Sequence, residues 1–130
     1  MITISQGHNN ARLGGTLSHL NTGATRARLR VLSGARPAAG GAETTLLVEV
    51  PLTNPAGSVV SNVLVLTALN AFDLAVNTGT AVWGRVINAN GDWNSDVSVS
   101  TVAAGTGEVQ FEDTTILAGS KVSHSTMAFG

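Results

Sequence analysis

The chain is expected to fold as an all-β domain, a jelly-roll-like β-sandwich or barrel of about seven to nine short strands with a short N-terminal arm or helix. Three observations predict it: apolar residues recur mostly with period two, the apolar runs are short, and clusters of Gly, Asn, Pro, Ser and Thr separate them. The 130 residues, 43% hydrophobic and only 12% charged, suffice to bury a core and suit a single domain. An N-terminal arm over residues 1–22 and a β-sandwich over residues 23–130 describe the expected organisation.

In the arm, Leu13, Leu17 and Leu20 fall at i, i+4 and i+7, the spacing of a short helix that Asn9 or Asn10 would cap. Gly14-Gly15 costs such a helix roughly 1 kcal/mol per glycine relative to alanine, so it forms only when packed. An arm that orders on assembly fits the same residues equally well. Residues 26–31 alternate Arg26, Arg28 and Arg30 with Ala27, Leu29 and Val31, a strand with its arginines outward. Residues 37–42 form a flexible connector of small residues. The second strand, residues 45–52, places Leu46, Val48 and Val50 on one face and Leu47, Glu49 and Pro51 on the other. Pro51 cannot donate to a ladder and marks an edge or strand end. Asn54-Pro55-Ala56-Gly57 should then turn the chain.

Residues 63–69 form a third strand and residues 70–77 a loop. Residues 80–88 and 93–101 flank Asn90-Gly91, the dipeptide most favoured in a two-residue type I′ hairpin because both central positions need positive φ. That turn sets Arg85 opposite Asp96, Trp83 opposite Ser98 and Val82 opposite Val99, so opposite charges meet and valines meet. The same register puts Val82, Val86, Trp93, Val97 and Val99 on the core face, and Trp83, Arg85, Ile87, Asp96 and Ser98 on the other. Trp83 there needs a cover, either its own chain in ordinary packing or a partner at an interface. Residues 108–112 make a sixth strand with Val109 and Phe111 inward. After a turn at Ala118-Gly119, residues 121–129 make a seventh, led by Val122.

Charge is unevenly spread despite a formal net charge of −1. Arg12, Arg26, Arg28, Arg30 and Arg36 make the first 36 residues +5, while Arg85 and Lys121 against eight acids leave the remainder at −6. A dipolar chain of this kind can stack on copies of itself or on a charged partner, although Arg26, Arg28 and Arg30 also suit the wet face of a strand. A near-neutral total argues against nucleic acid as a partner. No run of 18 apolar residues and no basic, apolar leader is present, so no membrane partner is expected and the chain should begin in a cytoplasm.

Motifs of chemistry are sparse. The absence of cysteine excludes disulfides and thiolate sites. His8, His19 and His124 show no metal-ligand spacing, no Gly-x-Ser-x-Gly elbow occurs, and the glycine pairs are not followed by Gly-Lys-Ser/Thr. Asn88, Asn90, Asp92, Asn94 and Asp96 superficially resemble a calcium loop, but Trp93 and Val99 stand where an EF-hand has Gly and Glu, and strand alternation explains the spacing. Glu112 and Asp113 should point to opposite faces. No catalytic, metal or cofactor-binding residue is assigned.

The ordered motifs resemble small structural proteins of tailed bacteriophages, including head decoration or cement proteins. They run from Asn10-Ala11-Arg12-Leu13 through Ser33-Gly34-Ala35-Arg36-Pro37, Thr45-Leu46-Leu47-Val48-Glu49 and Pro55-Ala56-Gly57 to Gly79-Thr80-Ala81-Val82-Trp83-Gly84-Arg85. Gly105-Thr106-Gly107-Glu108-Val109 and Ala118-Gly119 complete the layout, which covers most of the chain from Asn10 to Val122 and departs from the family at Gly14-Gly15 and Trp93. The resemblance implies a jelly-roll-like sandwich acting as an oligomer, a dimer or trimer, on the major capsid protein of a phage head, made in the host cytoplasm and finally located in the virion. It implies no enzyme activity. Arg12, Arg26, Arg28, Arg30, Trp83 and Arg85 are the candidate interface residues. Two alternatives stay open: a tail or head-tail connector protein, and a carbohydrate- or cation-binding β-sandwich using the Asn and Asp side chains of the hairpin tip.

Overall fold

Residues 2–130 are described by a computed structural model. The order is one helix, α1 (Gln6–Leu20), then β1 (Arg28–Ser33), β2 (Thr45–Val60), β3 (Val63–Ala68), β4 (Asp73–Leu74), β5 (Gly79–Thr80), β6 (Trp83–Ile87), β7 (Trp93–Thr101), β8 (Val109–Phe111), β9 (Thr115–Ile116), β10 (Lys121–Val122) and β11 (Thr126–Phe129). Seven of these strands close a barrel in the order β1-β2-β3-β11-β8-β7-β6, and two two-stranded sheets, β4 with β10 and β5 with β9, lie outside it. The all-β expectation is met in its barrel form.

Alternation explains most of the barrel core. Ala27, Leu29 and Val31 are buried as the arginine-interleaved pattern requires, and Val48, Val50, Leu64, Val86, Val97, Val109, Phe111 and Met127 join them. Bulges modify the pattern where it breaks. Val31 pairs with Val48 but Leu32 with Leu46, so Leu47 is the extra residue and turns inward, fully buried. The predicted turn at Asn54 to Gly57 does not form. Here β2 continues through the cis Asn54-Pro55 peptide and an irregularity in its pairing with β3, and the chain reverses only at Ser61-Asn62. Those two residues have φ of 46° and 71°, the conformation of a type I′ hairpin, so that turn type occurs here and not at Asn90-Gly91.

The Asn90-Gly91 hairpin has a three-residue loop instead. Gly91 N donates to Asn88 O, Asn88 N donates to Asp92 O, and Gly91 alone has positive φ, 90°. The Asn88 side chain, 1% exposed, stabilises the loop by accepting from the backbone N–H of both Asn90 and Asp92. Other expected strands are interrupted: residues 80–88 divide into β5 and β6, and residues 121–129 into β10 and β11.

Helix α1 is longer than its apolar triplet suggests. Ser5 caps it, accepting from His8 N, in place of Asn9 or Asn10. Asn10 Oδ1 instead accepts from Asn62 N, and Leu20 O accepts from Ala89 N. The helix therefore bridges the hairpins at the barrel end where β1 begins, with Leu13 and Leu20 in the core and Gly14-Gly15 on its open side. Packing of that stripe offsets the two glycines.

The opposite end is covered by the outer ribbon. Leu74 pairs with Lys121 and Gly79 with Ile116, so β4–β10 and β5–β9 share one antiparallel register interrupted by irregular residues. Its inner face contributes Ala75, Ile116 and Val122 to the core, and Val76 N donates to Leu47 O while Asn77 Nδ2 donates to Leu46 O.

One pairing is unusual. Strands β7 and β8 are parallel neighbours, Val99 opposite Val109, although only residues 102–108 connect them. The return is made flush against β7: Gly107 N donates to Ser100 Oγ, and Ser98 N donates to Glu108 Oε2. A Cβ on Gly107 would lie 2.7 Å from Ser100 N and 2.8 Å from Ser98 O, both backbone atoms. The expected consequence is that Gly107→Ala destabilises the fold by about 1 to 3 kcal/mol, measured by urea unfolding, whereas Gly91→Asn at the open hairpin tip changes stability by less.

Candidate interaction surfaces

Three surfaces emerge, beginning with the arginine face of β1. Arg30 Nε donates to both Glu43 oxygens at 2.9 and 3.0 Å, and its NH1 donates to Glu49 Oε1 at 2.8 Å. Arg28 lies 3.5 Å from the same Glu49 oxygen, and Arg26 NH1 donates to Leu52 O. Burial lowers the Arg30 pKa, but hydrogen bonds and charge from the two glutamates outweigh it and hold the guanidinium above its ordinary value. The basic stretch is thus largely answered within the chain. Arg12 lies elsewhere, on the exposed face of α1, where it donates to Asn9 Oδ1 and borders a groove of about 450 Å³ with Ile2, Ile4 and His8.

The outer face of β6 and β7 is the second surface. The predicted pairs Arg85–Asp96 and Trp83–Ser98 are present. Arg85 Nε and NH2 donate to the two Asp96 oxygens at 2.8 and 3.1 Å, with both side chains under 10% exposed. The guanidinium sits 5.2 Å from the Trp83 ring centroid, and its hydrogen bonds to Asp96 raise its pKa despite burial. Trp83 is 1% exposed because residues 34–44 fold back over it, and its indole N–H donates to Thr44 Oγ1. Its cover is its own chain, which leaves neither Trp83 nor Arg85 accessible on this protomer.

Trp93 and Val82 depart from the core face expected for them. A register shift between Val86 and Ile87 brings Trp93 opposite Ile87, so one extra residue in β7 turns Trp93 to the outer face. It is 45% exposed. Val82, 43% exposed, falls in the break between β5 and β6, and Ala81 takes the buried position instead. Trp93 Nε1 donates to Asp96 Oδ1, and Arg36 donates to Asp96 O and Ser98 Oγ. Between them lies an open cleft of about 360 Å³, also lined by Pro37, Ala39, Asn94 and Ser95.

The third surface, on the ribbon, lies in residues 70–77 that the sequence suggests as a loop. In its register Leu74, Val76, Leu117 and Lys121 share the outward face, with exposures of 59%, 60% and 59% for the apolar three. Phe72, 44% exposed, extends the stripe, and the Lys121 ammonium lies 4.6 Å from its ring centroid. The signal was available as period-two spacing of Phe72, Leu74 and Val76 around small Ala75, but the partner strand is over forty residues distant.

The polar series at the hairpin tip is divided among separate partners: Asn90 with Asp92, Asn94 with His19, and Asp96 with Arg85. Among the described residues no group of three His, Cys, Asp or Glu is placed to hold a metal. Glu112 and Asp113, expected on opposite faces, both border one shallow depression because β8 ends at Phe111. No family model matches the chain, and neither a curated protein nor a solved structure matches it.

Two outcomes are expected. Asp96→Ala leaves the Arg85 guanidinium buried without its counter-ion and should cost about 3 kcal/mol or more, whereas Glu43→Gln at the more exposed Arg30 pair should cost under about 1 kcal/mol, both by urea unfolding. Half-buried His124 has its pKa lowered by burial, opposed by the Asp73 carboxylate. The unfolded imidazole, near 6.5, therefore takes up a proton before the folded one, so its contribution is complete above that pH and is lost as the pH falls below it. Thermal unfolding scans below pH 6.5 should show a smaller fall in Tm for His124→Gln than for the unaltered chain.

Proposed function

We propose that the chain is a non-enzymatic structural protein of a tailed-phage virion that decorates or cements the head by oligomerising on its surface. The observation that carries this reading is the apolar outward face of the ribbon, with Phe72, Leu74, Val76 and Leu117 exposed together at one end of the barrel. The order of sequence motifs from Asn10 to Val122 supports it.

A closed barrel has no strand edge to offer a neighbour, so its association must use faces or the outer ribbon. Covering half-exposed Leu, Val and Phe side chains contributes roughly 1 kcal/mol or more each. A contiguous stripe of them marks an interaction site, where scattered ones do not. The arginines of β1 contribute less to this contact because Glu43 and Glu49 already answer them. Contact through the ribbon therefore depends on apolar burial more than on charge, and attachment is expected to persist at ionic strengths that screen exposed ion pairs.

The test is sedimentation of the purified protein, alone and with undecorated heads of its phage. A defined oligomer and saturable co-sedimentation that persists in about 0.5 M salt are expected. The double variant Leu74→Ser/Val76→Ser should fold normally yet lose attachment. Binding by that variant equal to the unaltered protein would remove the ribbon from the contact, and a chain that never joins the heads would overturn the decoration reading.

A further inference from the structure

We propose that Trp93 and Arg36 form a subsite for an acidic pyranose, a uronic acid unit of a polysaccharide. Trp93 is the exposed one of two tryptophans, and it is held rather than loose. Its N–H is fixed on Asp96 Oδ1 at 3.1 Å, and its six-membered ring lies beside Gly40, where a Cβ would stand 3.4 Å from the nearest ring carbon. A rigid aromatic platform loses little conformational entropy when a ligand covers it.

The cleft beside the ring combines this aromatic platform and the small apolar Pro37 and Ala39 with a polar rim of Arg36, Asn94, Ser95 and Asp96. That combination matches a sugar ring. One pyranose face presents weakly positive C–H groups suited to the negative face of an indole, while the hydroxyls at its edge need hydrogen-bond partners. The cleft's volume, about 360 Å³, is within the range of small-molecule sites.

Charge selects among sugars. Asp96 is neutralised by Arg85 at 2.8 Å, so Arg36 is the cleft's uncompensated charge among its lining residues. Arg36 uses two donors, NH1 to Asp96 O and NH2 to Ser98 Oγ, which leaves the rest of its five N–H groups for a ligand. A carboxylate on the stacked ring would take a charge-assisted bond from that guanidinium. The inference does not rest on the virion reading, because purified protein and oligosaccharides suffice to test it.

The experiment follows tryptophan emission during titration with short oligomers of galacturonate, glucuronate and mannuronate, beside neutral galactose and glucose oligomers. Trp83, buried beneath residues 34–44, serves as the constant background. Saturable change is expected with at least one uronate series, about tenfold tighter than with its neutral counterpart, the size of one charge-assisted hydrogen bond. Trp93→Ala should abolish the response while Trp93→Phe, read by calorimetry, keeps weaker binding. Arg36→Gln should erase the preference for the acid and Arg36→Lys should restore part of it, with circular dichroism confirming that each variant is folded. No saturable response to any uronate, or a neutral sugar bound as tightly as its acid, overturns the proposal.

Discussion

One carboxylate organises the outer wall of the barrel. Asp96 accepts from Arg85 through both oxygens and from Trp93 Nε1, while Arg85 in turn lies against the face of Trp83. A line of four side chains thus runs from the tryptophan sealed under residues 34–44 to the tryptophan left at the surface. Each member restrains the next, and in a low-dielectric setting such a network is stabilising only when every polar group in it is answered. Arg36 extends it to the covering loop by bonding Asp96 O and Ser98 Oγ. The loop over Trp83 and the fixed position of Trp93 both follow from this network.

The two ends of the barrel are finished in chemically different ways. At one, α1 lays Leu13 and Leu20 on the core, and Asn9, Asn10, His19 and Asn21 bond to the strands and hairpins beneath. At the other, the ribbon buries Ala75, Ile116 and Val122 but presents larger apolar side chains to the outside. The ribbon end therefore carries a stripe of exposed apolar side chains on one register face. The Trp93 cleft and the ribbon's apolar stripe share no side chain.

The charge asymmetry of the sequence has a structural use that differs from its first appearance. Arg30 is matched by Glu43 and Glu49, and Arg28 shares Glu49, so basic and acidic stretches of the chain meet each other in adjacent strands and the following loop. Partly exposed pairs of this kind contribute modestly to stability. Their larger effect here is on the surface field, because a stretch of +5 in sequence does not become a comparably basic patch in space.

Sequence alone determined the all-β class, the buried alternation of Ala27, Leu29 and Val31, and the inward Val109 and Phe111, because each depends on period-two spacing. The Arg85–Asp96 register also matches, but through two departures that cancel: a three-residue loop replaces the two-residue turn, and the extra residue Asn94 in β7 restores the pairing. Only the tertiary structure decided what covers Trp83 and which way Trp93 faces. A single extra residue in β7 moves a side chain to the opposite face, and no local pattern distinguishes the bulged strand from the regular one. The ribbon was hidden for a related reason: β4 and β5 are too short to show a pattern, and they exist because β10 and β9, distant in sequence, supply their partners. The hairpin turns illustrate the same division, with Ser61-Asn62 taking the positive-φ pair because the strands on either side pair across it, while Asn90-Gly91 yields to a loop built on the buried side chain of Asn88.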